Sequence, residues 1–256
     1  MPYKNFCHST ENIFEKSIRI IKKNGLNNFF LKICQYIKLK FVNFFNKQLF
    51  YYYKIFKKNS SFELFGKCYF YFYHKYNTTY LNERAVEIPI LKDMVSKYQG
   101  CKILEVGNVL SHYFSFKHEV IDKYEYGINV INEDITSFFT VYKYDLIVTI
   151  STLEHIGFDE AVKDPEKLLR AIGNMKDILN VGGKIIITAP LGYNKYFDDF
   201  IKKGEIVFDE LFLLKRINRN NEWVQEPIEK IKSELFRYGF PYRNANWLVV
   251  GTIKKT

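Results

Sequence analysis

The sequence is short of several things, and each shortage removes a class of protein. Its four cysteines, Cys7, Cys34, Cys68 and Cys101, stand far apart. No C-x-x-C and no histidine pair at ligand spacing goes with them, so neither a zinc site nor a disulfide framework is expected, and scattered thiols suit a reducing cytoplasm. Arginine is scarce, 7 residues against 31 lysines. Base readout and bidentate phosphate clamping favour arginine, so no nucleic-acid partner is expected. The opening residues, MPYKNFCHSTEN, lack the apolar core of a signal peptide. Acidic residues are missing altogether between Lys16 and Phe62. Missing too is the G-x-G-x-x-G turn that an NAD-dependent oxidoreductase requires.

What is present divides the 256 residues in two. Residues 1–62 hold 12 Lys/Arg and 2 Asp/Glu, whereas residues 63–256 hold 26 of each, so the whole net charge of +10 sits in the first quarter. This reading gives a basic, aromatic, helical extension over residues 1–60 and a neutral domain over 61–256. In the extension, Phe14, Ile18 and Ile21 fall at helical steps within 10–24, with Gly25 as a stop, and a second helix is expected over 27–58. Lys32, Lys38, Lys40 and Lys47 interrupt it. Each central lysine costs about 2.5–3.5 kcal/mol in a bilayer, against gains of about 0.3–0.6 per apolar residue, so the segment does not span a membrane. Two readings stay open for residues 16–58. One is an amphipathic pair of helices packed on the main domain or on a second copy in a homodimer. The other is peripheral contact with anionic lipid at the inner face of the membrane.

In the domain, residues 61–73 read as two short strands around Phe65-Gly66-Lys67, and 82–100 as a helix closed by Gly100. Strands are then expected at 102–106, 118–122, 128–132, 144–150 and 184–189. Between the last two, Asp164-Pro165 starts a helix with Leu168, Leu169, Ile172, Met175, Ile178 and Leu179 on one face, ended by Gly182-Gly183. A helix near 195–203, a strand near 211–217, a helix near 227–237 and a strand at 246–253 complete an α/β, doubly wound, mostly parallel sheet. Only 11 residues (107–117) separate the first two sheet strands, and 11 (123–133) separate Asp122 from Asp134. Both connections are too short for full crossover helices. The aromatic N-terminal segment is the expected cover for that flank.

Ligands bind such sheets beyond the carboxyl ends of the strands. Glu105 and Gly107 stand at the end of the first strand, and Asp122, 15 residues past Gly107, ends the second. A carboxylate at that place accepts hydrogen bonds from ribose hydroxyls. Asp134, after the third strand, is placed to accept from an adenine amino group, and "STLEHI" follows the fourth.

Those stretches, "ILEVGN" (103–108), "VID" (120–122), "NEDI" (132–135), "YDLIVTISTLEHI" (144–156) and "LNVGGKIIITAP" (179–190), carry a resemblance. Residues from about 101 to 192 look like a class I S-adenosylmethionine-dependent methyltransferase, of the broad type that includes small-molecule and sugar methylators. The resemblance implies a Rossmann-like fold with shortened early crossovers and S-adenosyl-L-methionine as cofactor. Glu105, Gly107 and Asn108 would lie at its methionine part, Asp122 on its ribose, Asp134 and Ile135 at its adenine and Ser151 near its sulfonium. His155 is the candidate base for a hydroxyl acceptor, with His112 and His74 behind it. His112, Tyr193 and Asn194 are expected on the acceptor side, and Trp223 as an aromatic wall. No Asn/Asp-Pro-Pro-Tyr/Phe sequence follows the fourth strand, which disfavours methylation of a nucleic-acid base. The acceptor expected is a small molecule or glycan methylated at oxygen, because "YNTTYLNERAVEIPI" (76–90) resembles methyltransferase-like proteins of surface-polysaccharide biosynthesis. Glu83 and Arg84 have two readings, closing over the cofactor or, the one favoured, ordinary surface salt bridges. The single glycine in the loop leaves one rival open, a methyltransferase fold that has lost catalysis and serves as a scaffold.

Overall fold

The computed structural model describes residues 13–256. The segment MPYKNFCHSTEN, with Cys7 and the start of the helix expected from residue 10, lies outside the described residues, as do the side chains of Phe14, Ile18, Ile21 and Lys32. The chain divides into two compact units at Tyr51/Tyr52. The first is built on α1 (Ile13–Phe56), one continuous helix of 44 residues. Gly25 does not stop it. A lone glycine costs a helix only about 1 kcal/mol, and helix-forming residues on both sides outweigh that.

The second unit opens with a hairpin, β1 (Ser61–Leu64) and β2 (Lys67–Phe70), turned at Phe65-Gly66 as expected. Helix α2 (Arg84–Ser96) follows. Then come β3 (Ile103–Val106), β4 (Glu119–Ile121), β5 (Val130–Ile131) and β6 (Tyr144–Ile150). After them run α3 (Glu166–Asp177), β7 (Leu179–Pro190), α4 (Lys195–Lys203), β8 (Glu210–Arg216), β9 (Trp223–Glu226), α5 (Lys230–Ser233) and β10 (Trp247–Lys254).

The eight-stranded sheet has the order β5-β4-β3-β6-β7-β10-β8-β9. Strands β3 to β7 are mutually parallel, and β10 enters antiparallel between β7 and β8. This is a Rossmann-like doubly wound sheet whose order reverses between β3 and β6. Strand β6 reads YDLIVTI and is buried on both faces, as a central parallel strand must be. On one face α3 and α4 pack Leu168, Met175 and Phe197 against Ile147, Ile187 and Val249. On the other, the hairpin and α2 pack Phe62, Leu64, Ile88 and Leu91 against Val148, Ile150 and Val250. Each such side chain contributes about 1.5–3 kcal/mol by leaving water.

The connections after β3 and β4 are short, as their lengths required. The first contains only a 3-10 turn at Leu110–His112. In the second unit that flank is covered by the hairpin, α2 and the rings of Phe114 and Phe116. Two expectations at the other end need correction. Gly182-Gly183 does not end a helix but lies inside β7, where Gly182 N–H donates to Lys255 O at 2.7 Å. The helix expected near 227–237 shrinks to α5, and β9, an unforeseen strand, pairs with β8 in a hairpin.

Candidate functional site

A cleft of about 660 Å³ opens at the carboxyl edge of the sheet, over the point where the strand order reverses. Its walls are the turns after β3, β4, β5 and β6, with Tyr76 and Asn77 coming from the segment before α2 and Arg84 from the start of α2. Eight of the residues singled out in the sequence line it: Gly107, Asn108, His112, Asp122, Asp134, Ile135, Ser151 and His155.

The turn after β3 shows why one glycine is enough. Gly107 has φ +87°, and a Cβ there would stand 2.2 Å from Thr152 Oγ1, so only glycine fits. The next three amides are each tied to a carboxylate. Asn108 N–H donates to Asp122 Oδ2 at 3.0 Å, and Val109 and Leu110 N–H donate to Glu105 Oε1 at 2.8 and 2.7 Å. Glu105 is fully buried, and its other oxygen meets His118 Nε2 at 2.6 Å. Glu105 therefore does not line the cleft. It shapes the loop that does.

Asp122 closes the turn after β4, its Oδ1 accepting from Tyr124 and Glu125 N–H at 2.8 Å each. Asp134 also faces the cleft, but both its oxygens are engaged. Oδ1 accepts from Thr136 N–H and Oγ1, and Oδ2 lies 2.7 Å from Lys167 and 3.0 Å from Lys123. Burial works against the charge, yet the hydrogen bonds from Lys167, Thr136 and Lys123 hold this carboxyl well below the usual range. The adenine contact expected of its side chain would have to displace a lysine.

After β6, Ser151 stands at φ +39°, a strained conformation for a residue with a Cβ. Its hydroxyl donates to Glu87 Oε1 at 2.7 Å. Glu87, fully buried, also pairs with Arg84 at 2.9 Å, and Arg84 donates to Ile150 O. Glu83 accepts from Ala245 N–H. Glu83 and Arg84 are thus not in a surface salt bridge: Glu83 is buried, and Arg84 lines the cleft while paired with the buried Glu87. Burial raises the Glu83 carboxyl and raises that of Glu154, 1 % exposed, well above the ordinary value.

His155 is open to solvent, its side chain 46 % exposed. Nδ1 lies 2.5 Å from Asp159 Oδ2, which also accepts from Tyr193 OH at 2.7 Å. Nε2 is 3.6 Å from Glu154 Oε1, too far for a hydrogen bond. Tyr193 touches the His155 ring at 4.8 Å but does not line the cleft. Asn194 is no acceptor contact: it caps α4, accepting from Tyr196 and Phe197 N–H, and donates to Glu154 O. His112 stacks on Tyr76 at 4.4 Å and sits 2.9 Å from Glu125 Oε1. His74 stacks on Phe72, outside the cleft, and Trp223 is 3 % exposed in the core, its Nε1–H bonded to Asn221.

Sequence reasoning missed Glu87, Glu154, Asp159, Tyr76 and Tyr113. Only Asp159 carried a signal, four residues after His155 in a segment that begins at a strand end. Among the described residues, no group of three or more His, Cys, Asp or Glu is placed to hold a metal ion.

No protein-family model matches the chain. No curated protein matches it either. Solved structures do. It is similar to the N-methyltransferase NodS from Bradyrhizobium japonicum, at 18 % identity over 68 % of this chain and 97 % of that one, with a TM-score of 0.38. TehB from Haemophilus influenzae matches at 18 % identity over 71 % and 65 %, TM-score 0.39. An rRNA methylase from Streptococcus thermophilus matches at 12 % over 66 % and 97 %, TM-score 0.38. At such scores these likenesses do not assign an activity.

Proposed function

We propose that the chain is an S-adenosylmethionine-dependent methyltransferase acting at oxygen on a small or glycan-linked acceptor. The observation that carries this reading is the state of the loop amides. A dinucleotide's pyrophosphate needs free N–H groups at this turn, and Asn108, Val109 and Leu110 direct theirs at Asp122 and Glu105. The lining has six acidic residues, Asp122, Glu125, Glu133, Asp134, Asp159 and Glu160, against Arg84 and Lys123. Such a cleft repels phosphate and favours a cationic, phosphate-free nucleoside.

The volume suits a cofactor of that size. S-Adenosylmethionine would supply an electrophilic methyl group on a sulfonium whose positive charge is discharged on transfer. Asp122 keeps lone pairs for ribose hydroxyls, and Ile135 offers an apolar wall for the base. Asp159 accepts a hydrogen bond from His155 Nδ1–H, which leaves Nε2 as the acceptor for a substrate hydroxyl's proton. The rings of Tyr193, Phe158 and Tyr238, the first within 5.8 Å of the second and 5.2 Å of the third, offer apolar faces beside His155 of the kind that suit a sugar. A place in surface-polysaccharide biosynthesis is part of this proposal and rests on the resemblance of residues 76–90. The scaffold alternative loses its motive, since Asp122 and Glu105 hold the loop after Gly107 by its amides without further glycines.

Calorimetric titration with S-adenosylhomocysteine, with NAD as control, tests it. Micromolar binding of the first alone, lost in Asp122→Ala, is expected. A folded protein that binds neither, or binds NAD, overturns the reading.

A further inference from the structure

Helix α1 carries a surface that the chemistry of the cleft does not use. Phe30, Ile37, Phe41, Phe44 and Phe45 follow one another at steps of seven, four, three and one, which keeps them within roughly a third of the helix circumference. Each is between 57 % and 63 % exposed. The Phe45 ring lies 5.3 Å from Phe41 and 6.2 Å from Phe44, so these three rings form one cluster on that face. Lys40 and Lys47, seven residues apart, border it on one side, and Lys38 borders it on the other. An apolar aromatic patch of this kind on a helix marks an interaction site.

We propose that this face of α1 docks on the surface of a bilayer containing anionic lipid. Charge selects the occupant. No carboxylate lies between Lys16 and Phe62, so pairing the face with its twin in a second copy would bring lysines against lysines with nothing to offset them. A nucleic acid would satisfy the lysines and leave the aromatic rings in water. A negatively charged lipid surface meets both: the rings enter the interfacial layer and the flanking lysines reach the headgroups. The helix lies on the membrane rather than crossing it, since among the described residues no helix is long and apolar enough to span.

The test is co-flotation of the full-length protein with vesicles of equimolar phosphatidylglycerol and phosphatidylcholine, against phosphatidylcholine alone, at low salt. Binding to the first only is expected. Lys40→Gln with Lys47→Gln should weaken it roughly thirtyfold. Phe41→Ser with Phe45→Ser should abolish it while circular dichroism shows the helix retained. Light scattering on the same samples identifies the competing occupant. No flotation, flotation indifferent to the phenylalanines, or an oligomer that Phe41→Ser with Phe45→Ser dissociates in the absence of lipid would overturn the proposal.

Discussion

Glu105 and His118 meet 2.6 Å apart, Oε2 to Nε2, with side chains 0 % and 5 % exposed. Through its other oxygen Glu105 holds the two amides that shape the loop over the cleft. A buried carboxylate deprived of its partner costs about 3–5 kcal/mol. His118→Leu is therefore expected to lose stability on that scale in urea denaturation. Where it still folds, the loop loosens and S-adenosylhomocysteine affinity falls about tenfold. A variant as stable as the parent would show that the pair is not what anchors the loop.

Gly107→Ala tests the opposite wall of the same turn. A Cβ would stand 2.2 Å from Thr152 Oγ1 and 2.8 Å from its Cγ2, at a φ of +87°. The backbone strain alone is about 1–3 kcal/mol. The variant should unfold several degrees earlier and bind no S-adenosylhomocysteine. Adding Thr152→Gly removes the contact but not the strain, so thermal stability should return in part. No rescue at all would mean that backbone strain, not Thr152, dictates the glycine.

The order of strands β3 to β7 was legible because each is an apolar run ending in a polar turn, and YDLIVTI matched its observed limits. So was the gathering of eight candidate residues on one edge, since topology alone brings strand ends together. What the sequence hid is non-local. Arg84, Glu87 and Ser151 form one network across 64 residues of chain, and no periodicity reports such a pairing. Asn194 looked like a ligand and is a helix cap, its side-chain oxygen accepting from Tyr196 and Phe197 N–H. Glycine misled twice: Gly25 and Gly182 sit inside elements whose neighbours outweigh their preference for turns.

His155 and Asp159 make a dyad whose parts separate kinetically. His155→Ala should keep S-adenosylhomocysteine binding and lower methyl transfer about 10²–10⁴-fold, the range for a general base. Asp159→Asn removes the charge that fixes the tautomer and should lower turnover less. Transfer of a labelled methyl group to glycan acceptors is the assay. Unchanged turnover in His155→Ala would assign the proton to another group.

Asp198 gives the fold a pH dependence that can be isolated. It is 8 % exposed, accepts from Gly192 N–H at 2.9 and 3.2 Å, and is raised by burial from 3.8 to about 7. Between about pH 4 and pH 7 the folded chain therefore keeps a proton that the unfolded chain has released. Stability must fall as pH rises through that window and level off above it. Asn in its place keeps an acceptor for Gly192 and cannot ionise. Asp198→Asn should match the parent near pH 4 and exceed it by roughly 2–4 kcal/mol at pH 8. Subtracting the two denaturation curves cancels every other titrating group, and a difference that stays flat with pH would show that Asp198 ionises normally in the folded state.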